Sequence, residues 1–176
     1  MDELDLGWQT IEGKKKILVV AAHNFRQGRD GKIKAADMGT GDLARMICER
    51  YGTFGLISTR EQLDPNWYIN SPFREKVKEI IKEKNIMLVI DVHGKNLGAE
   101  KLLELKGNNK FKEIYKIEVN NFIENKQETL AEEMDKSVPV LQIEIREDGR
   151  VKTVNEVKYI EAQNLINDLM NKLDES

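Results

Sequence analysis

The chain has 176 residues, of which 40% are hydrophobic and 34% are charged. This balance is typical of a globular protein and excludes an intrinsically disordered one. The 28 basic and 31 acidic residues give a formal net charge of −3. That charge excludes the basic surface needed to bind nucleic acid or an anionic membrane. We expect residues 1–176 to form one domain, because a chain of this length can bury a substantial core.

Three features of the sequence predict a cytoplasmic protein. Cys48 is the single cysteine, so no internal disulfide can form, which is typical of a reducing compartment. The first eight residues, MDELDLGW, lack the basic and apolar regions of a signal peptide. No apolar run reaches the length of a membrane span.

The first part of the chain alternates strand and helix patterns. Residues 16–22 (KILVVAA) form a continuous apolar run, which predicts a central parallel strand covered on both faces. Gly39 or Thr40 can cap the helix that follows, and Gly52 can end it. Residues 54–58 (FGLIS) predict the next strand.

The same alternation continues with a second helix and strand. Ser71 followed by Pro72 is a strong helix start, and the apolar face of this helix continues to Asn85. Residues 86–92 (IMLVIDV) then predict another strand that is buried on both faces.

The last third contains one ambiguous stretch and two clear elements. Residues 101–105 are compatible with a strand, whereas residues 111–133 mix a short apolar alternation with a charged helix. Residues 138–145 (VPVLQIEI) predict a strand, and Thr153 with Glu156 forms a capping box for a final helix. Strands that alternate with helices predict an α/β fold: a three-layer sandwich with a mostly parallel, mixed central sheet.

Both histidines of the chain follow buried strands. His23 ends the first central strand and His93 ends another, and ligands of parallel sheets bind at the carboxyl ends of strands. Either histidine alone is explained as a hydrogen-bonded loop residue, but the pair favours a functional site. Asp91 lies two residues before His93 on the same side of the strand, so it can accept the second ring N–H of a metal-bound His93. Asp91 could alternatively cap loop amides.

A hydrolytic zinc site needs a third protein ligand, because such sites hold zinc through three protein groups and leave the fourth position for water. Cys48 lies on the apolar side of a helix and is an unsuitable ligand. Asp30 and Asp37 are the acidic candidates in the loop after His23. The spacing of these residues does not distinguish between them.

Five short motifs occur in an order that resembles the N-formylglutamate amidohydrolase family, a compact relative of the zinc carboxypeptidase-like hydrolases. They are "AAHN", "AADMGTGDLA", "STREQLDPN", "IDVHG" and "LQIEI", and they extend from residue 17 to about residue 146. The resemblance implies a phosphorylase/hydrolase-like sandwich with one zinc ion per chain. It also implies that His23, Asp37 and His93 are the zinc ligands, and so prefers Asp37 to Asp30.

The resemblance assigns three further residues. Glu144 in "LQIEI" takes the place of the general base, while Arg60 and Asn66 in "TREQLDPN" take the places of residues that hold the substrate. Simpler interpretations exist for each: Glu144 could pair with Arg146, Arg60 could be a surface charge, and "LDPN" is good turn chemistry.

The sequence therefore predicts a zinc-dependent amidohydrolase that cleaves an amide bond in an N-acyl amino acid, such as N-formylglutamate, or in a small peptide with a free carboxylate. Trp67 stands where the family has a second arginine, so the acyl group and the amino acid stay open. Another divalent metal is compatible with nitrogen and oxygen ligands. Two alternatives are a metal-free module that binds an anion at "GTGD", and a zinc-stabilised interaction domain without catalysis.

Overall fold

The structure is a computed structural model that describes residues 7–107, 109–122 and 129–175. The strands in this part of the chain are β1 (Trp8–Ile11), β2 (Lys15–Ala21), β3 (Gln27–Arg29), β4 (Lys32–Lys34), β5 (Thr53–Ser58), β6 (Gln62–Leu63), β7 (Leu88–Lys95), β8 (Leu103–Gly107) and β9 (Val140–Arg146). The helices are α1 (Thr40–Tyr51), α2 (Pro72–Glu83), α3 (Asn109–Tyr115), α4 (Leu130–Met134), α5 (Glu147–Arg150) and α6 (Glu156–Asp174).

The central sheet has six strands in the order β1-β5-β2-β7-β9-β8. The four inner strands, β5, β2, β7 and β9, are parallel, and the edge strands β1 and β8 are antiparallel to their neighbours. Helices cover both faces, so the predicted three-layer α/β sandwich with a mixed sheet is confirmed.

Period-2 alternation divides the apolar side chains of the strands between two core clusters. Val19 and Ile90 point to one face and pack with residues of α1 and α6. Leu18, Val20 and Val89 point to the other face and pack with residues of α2 and α4. Because each inner strand supplies both clusters, its sequence is an almost unbroken apolar run.

A smaller sheet of three strands, in the order β4-β3-β6, lies beside the carboxyl end of β2. The side-chain amide of Gln27, which is fully buried in β3, donates a hydrogen bond to the carbonyl of Ala22. This contact fixes the β3–β4 hairpin next to the residue that precedes His23. The small sheet and β1 were not predicted from the sequence.

The helix ends follow the sequence signals with one exception. Gly39, at φ 85°, is the N-cap of α1, and Gly52 ends that helix in the left-handed conformation. The Ser71 hydroxyl caps α2 by accepting a hydrogen bond from the backbone of Arg74. The predicted capping box at Thr153 is wrong, because Asn155 is the N-cap of α6 and its side chain accepts from the backbone of Lys158 at 3.1 Å.

The ambiguous stretch contains strand and helix, as its mixed pattern suggested. Residues 103–107 form β8, and residues 109–115 and 130–134 form α3 and α4. Residues 123–128 of this stretch, and residues 1–6 of the acidic start, lie outside the described residues. Among the helices that the structure describes, none is both long and apolar enough to cross a membrane.

Candidate metal centre

The two histidines meet at the carboxyl edge of the sheet. His23 follows β2 and His93 lies near the end of β7, the neighbouring parallel strand. Their Nδ1 atoms are 3.1 Å apart, and both side chains are buried. The rule that ligands bind beyond the carboxyl ends of parallel strands therefore located both residues.

Asp37 completes a group of three candidate ligands. Its Oδ2 lies 3.8 Å from Nδ1 of His23 and 3.7 Å from Nδ1 of His93. Its backbone N–H donates to the carbonyl of His23 at 2.8 Å, and its Oδ2 accepts from the N–H of Gly94 at 3.1 Å. The loop before α1 is thus held on both sides of the site, and the carboxylate faces the two imidazoles.

Each histidine is oriented by a buried carboxylate on its other ring nitrogen. Nε2 of His23 lies 3.0 Å from Oδ1 of Asp64, and Nε2 of His93 lies 2.8 Å from Oδ2 of Asp91. A carboxylate accepts hydrogen bonds, so we assign the ring protons to Nε2 in both residues. Both Nδ1 atoms then face Asp37 as potential metal ligands.

The electrostatics of the two histidines differ. Burial lowers the pKa of His23 to about 4, against the opposing hydrogen bond to Asp64. Burial also acts to lower the pKa of His93, but the Asp91 carboxylate, together with Asp37, outweighs it and raises this pKa to about 9. Burial acts to raise the pKa of Asp37, whereas His93 and the ammonium of Lys34 hold it well below its usual range.

Two cations from the small sheet also reach the site. Arg29 on β3 forms an ion pair with the buried Asp64 and lies over the ring of Trp67. Lys34 on β4 has its Nζ 3.7 Å from Oδ2 of Asp37, and burial lowers the pKa of this lysine. Asp64, Arg29 and Lys34 were not among the residues predicted from the sequence.

Asp30 lies apart from this group. It occupies the tight turn between β3 and β4 at φ 44°, where its carboxylate accepts from Nε1 of Trp67 at 2.8 Å and from the Tyr68 hydroxyl at 3.0 Å. Among the described residues, the structure therefore brings Asp37, and not Asp30, to the two histidines.

Glu144 is the β9 residue that pairs in register with His93 on β7, so both side chains point to the same face. Its carboxylate forms an ion pair with Lys106, and its Oε2 lies 3.5 Å from Nζ of Lys95. Arg146, the partner considered from the sequence, instead binds Asp148 through two hydrogen bonds.

The two residues assigned to substrate contact lie on the loops after β5. Arg60 is exposed, and its side chain lies against Gly7, where an added Cβ would be 3.2 Å from Nε. Asn66 accepts from the N–H of Leu130 at 2.9 Å and donates its own N–H to Asp64 at 2.8 Å. Asn66 thus connects the start of α4 with the carboxylate that orients His23.

Comparison with known proteins gives similarity in structure alone. The sequence matches none of the known protein families, and no curated protein matches it either. The structure resembles that of a gene product from Agrobacterium tumefaciens at 15% identity and a TM-score of 0.66, over 96% of this chain and 94% of that chain. This similarity shows the fold.

Two further solved structures were found. A bacteriophage poly-gamma-glutamate hydrolase is 13% identical with a TM-score of 0.43, over 80% of this chain and 70% of that chain. The N-acetylmuramyl-L-alanine amidase of Mycobacterium abscessus is 14% identical with a TM-score of 0.45, over 93% of this chain and all of that chain.

Proposed function

We propose that this protein is a zinc-dependent amidohydrolase related to the N-formylglutamate amidohydrolases, with His23, Asp37 and His93 as its zinc ligands. Its substrate is an N-acyl amino acid or a small peptide with a free carboxylate. The products are a carboxylate and an amine, formed by addition of water across the C–N bond.

One observation carries this proposal: three electron-rich atoms converge in a buried place. Because Nε2 of each imidazole donates to its own aspartate, both Nδ1 lone pairs face each other at 3.1 Å, with Oδ2 of Asp37 less than 4 Å away. Such an arrangement needs a cation between its members, either a proton on His93 or a metal ion.

The spacing and chemistry of the three groups fit zinc. A tetrahedral zinc ion with bonds of about 2.0–2.2 Å has neighbouring ligand atoms about 3.3–3.6 Å apart, close to the three distances observed. Nitrogen and oxygen ligands with carboxylates behind the histidines are typical of catalytic zinc sites. When bound, zinc would polarise the scissile carbonyl and lower the pKa of the attacking water toward about 7.

Glu144 is the proposed general base. Its carboxylate contacts Lys106 and Lys95, and its register with His93 puts it on the face of the sheet where the ligands lie. It would take a proton from the attacking water and pass it to the amine that leaves.

Arg60 would bind the substrate carboxylate. The side-chain oxygen of Asn66 already accepts a hydrogen bond from the backbone N–H of Leu130, so we assign the substrate contact to the side-chain amide nitrogen of Asn66.

The anion-binding alternative is less well supported. Its site would be the first turn of α1, but the N–H of Thr40 donates to the carbonyl of Asp37 and the N–H of Gly41 donates to Oδ1 of Asn24. These amides would have to break existing hydrogen bonds to hold a phosphate.

The first test is the zinc content of protein purified without a histidine tag or chelator. We expect about one zinc per chain in the wild type, and loss of that zinc in His23→Ala, Asp37→Ala and His93→Ala. Asp30→Asn is the matched control, since it preserves the size of the side chain and one of its two acceptor oxygens in the turn, and it should retain the metal. Absence of zinc in the wild type, even after incubation with zinc, would overturn the proposal.

Turnover separates the enzyme from a zinc-stabilised interaction domain. Glu144→Gln should keep its zinc and lose about 10²–10⁴-fold in kcat on a panel of N-acyl amino acids. Unchanged turnover in this variant would refute Glu144 as the base. A wild type that binds zinc, unfolds when the zinc is removed and hydrolyses no member of the panel would favour the interaction domain.

A further inference from the structure

A lysine lies beside the proposed zinc site, where its charge opposes metal binding. Nζ of Lys34 is 3.7 Å from Oδ2 of Asp37, the same oxygen that faces both imidazoles. Like charges repel, so an ammonium this close to a ligand lowers the affinity of the site for a cation. A lysine in this position therefore needs a function other than support of the metal.

The position of Lys34 is set by the backbone around it. Lys34 pairs with Gln27 across the β3–β4 hairpin, and Gln27 is anchored to the carbonyl of Ala22 at the end of β2. Three residues later, Asp37 is tied to the carbonyl of His23. Lys34 thus lies in a short segment that is fixed on both sides. Its side chain is 26% exposed, so its ammonium is accessible from solvent.

The other cation of the small sheet has a different task. Arg29 is paired with Asp64, the carboxylate behind His23, and so balances a charge outside the ligand triangle. Lys34 instead lies at the triangle itself, through its contact with Asp37. A group bound to a metal held by the three ligand atoms would therefore lie near this ammonium.

We propose that Lys34 is a catalytic residue that binds the anionic oxygen formed when the substrate carbonyl is attacked, an inference that rests on the proposed amidohydrolase function. Water oxygen adds to the carbonyl carbon, and the C=O π electrons move onto the carbonyl oxygen. Lys34 donates a hydrogen bond to that oxygen and keeps its proton throughout. The electrons on that oxygen re-form the C=O bond as the C–N bond breaks, and the C–N electron pair leaves with the nitrogen, which takes the proton that Glu144 accepted from the water. The carboxylic acid passes its remaining proton to the amine, and the resulting carboxylate accepts the same hydrogen bond from Lys34.

The test compares Lys34→Met with Lys32→Met, an exposed lysine two residues earlier on β4. Zinc affinity is measured by competition with a chelating dye. Acetate binding to the zinc-loaded protein is measured by calorimetry, because acetate carries the oxygens of a carboxylate product. We expect Lys34→Met to weaken acetate binding at least about tenfold, because a charge-assisted hydrogen bond is lost. Zinc affinity should stay the same or rise, and Lys32→Met should change neither value.

The two measurements distinguish this role from a structural one, because acetate binding should fall in Lys34→Met while zinc affinity should not. Loss of both zinc and acetate binding in Lys34→Met, or unchanged acetate binding, overturns the proposal for Lys34 while the zinc site of the wild type still stands. A wild type that binds no zinc instead removes the proposed function and this inference together. Lys34→Arg keeps the positive charge and should retain most acetate binding, so it distinguishes loss of the charge from a folding defect in Lys34→Met. With substrate, Lys34→Met should lower kcat about 10²–10³-fold and leave KM largely unchanged.

Discussion

The two faces of the central sheet use the same strands for different purposes. On the α1/α6 face, β7 and β9 supply Ile90, Val92 and Ile143, which are all fully buried in one apolar cluster. On the α2/α4 face, the carboxyl halves of the same strands supply Asp91, His93 and Glu144. One face is thus core along its whole length, whereas the other changes from core to site halfway along.

The change on the second face comes directly after the last apolar residues that the two strands supply to it. Val89 and Val140 are the last residues of β7 and β9 in the cluster that packs under α2 and α4. Two residues further along, Asp91 and Gln142 are in register, and the Gln142 amide lies 3.4 Å from the Asp91 carboxylate. An apolar strand can therefore carry a polar site on one face without losing packing on the other, because its side chains alternate.

The largest effect on stability should come from the apolar face. Leu141→Ala removes a fully buried side chain from β9 and should lower the free energy of unfolding by about 2–5 kcal/mol, measured by urea denaturation. Zinc per folded chain should stay at the wild-type value, because Leu141 points away from the ligands.

The neighbouring residue on β9 is the control for this prediction. Gln142 points to the site face and makes a long hydrogen bond, so Gln142→Ala should cost about 1 kcal/mol or less. Loss of zinc in folded Leu141→Ala, or equal destabilisation by the two substitutions, would contradict the separation of the two faces.

A smaller effect is expected from the carboxylates behind the histidines. Asp64→Asn and Asp91→Asn preserve size but weaken the hydrogen bonds that orient His23 and His93, so each should lower zinc affinity about 10–100-fold. Asp42→Asn, on the exposed first turn of α1, should leave zinc affinity unchanged. Wild-type affinity in both site variants would show that the aspartates do not support the metal.

The three candidate ligands were easier to predict from the sequence than the residues around them. His23 and His93 could be located because each follows a long apolar strand, and strand ends meet at one edge of the sheet. Asp64 contacts His23 from 41 positions away and follows a two-residue strand, which has no periodicity to detect. The one available signal was an aspartate in "LDPN", which is equally typical of a turn.

The cations of the site and the start of α6 were missed for related reasons. Arg29 and Lys34 reach the site from three-residue strands whose pairing depends on tertiary contacts, such as the one between Gln27 and Ala22. Their roles follow from charge pairs that no local pattern encodes. Local capping chemistry was also ambiguous near α6, where Thr153 and Asn155 are both good N-cap residues.

The smallest predicted effect concerns that helix cap, which affects the helix covering the apolar face. Asn155 accepts a hydrogen bond from the backbone of Lys158, so Asn155→Ala should lower the free energy of unfolding by about 1 kcal/mol. Thr153 lies in the turn before the helix, and Thr153→Ala should change stability by less than about 0.5 kcal/mol. Both variants should keep full zinc content, because α6 packs on the face away from the ligands. A larger loss for Thr153→Ala in thermal and urea unfolding would restore the capping box predicted from the sequence and shift the start of α6.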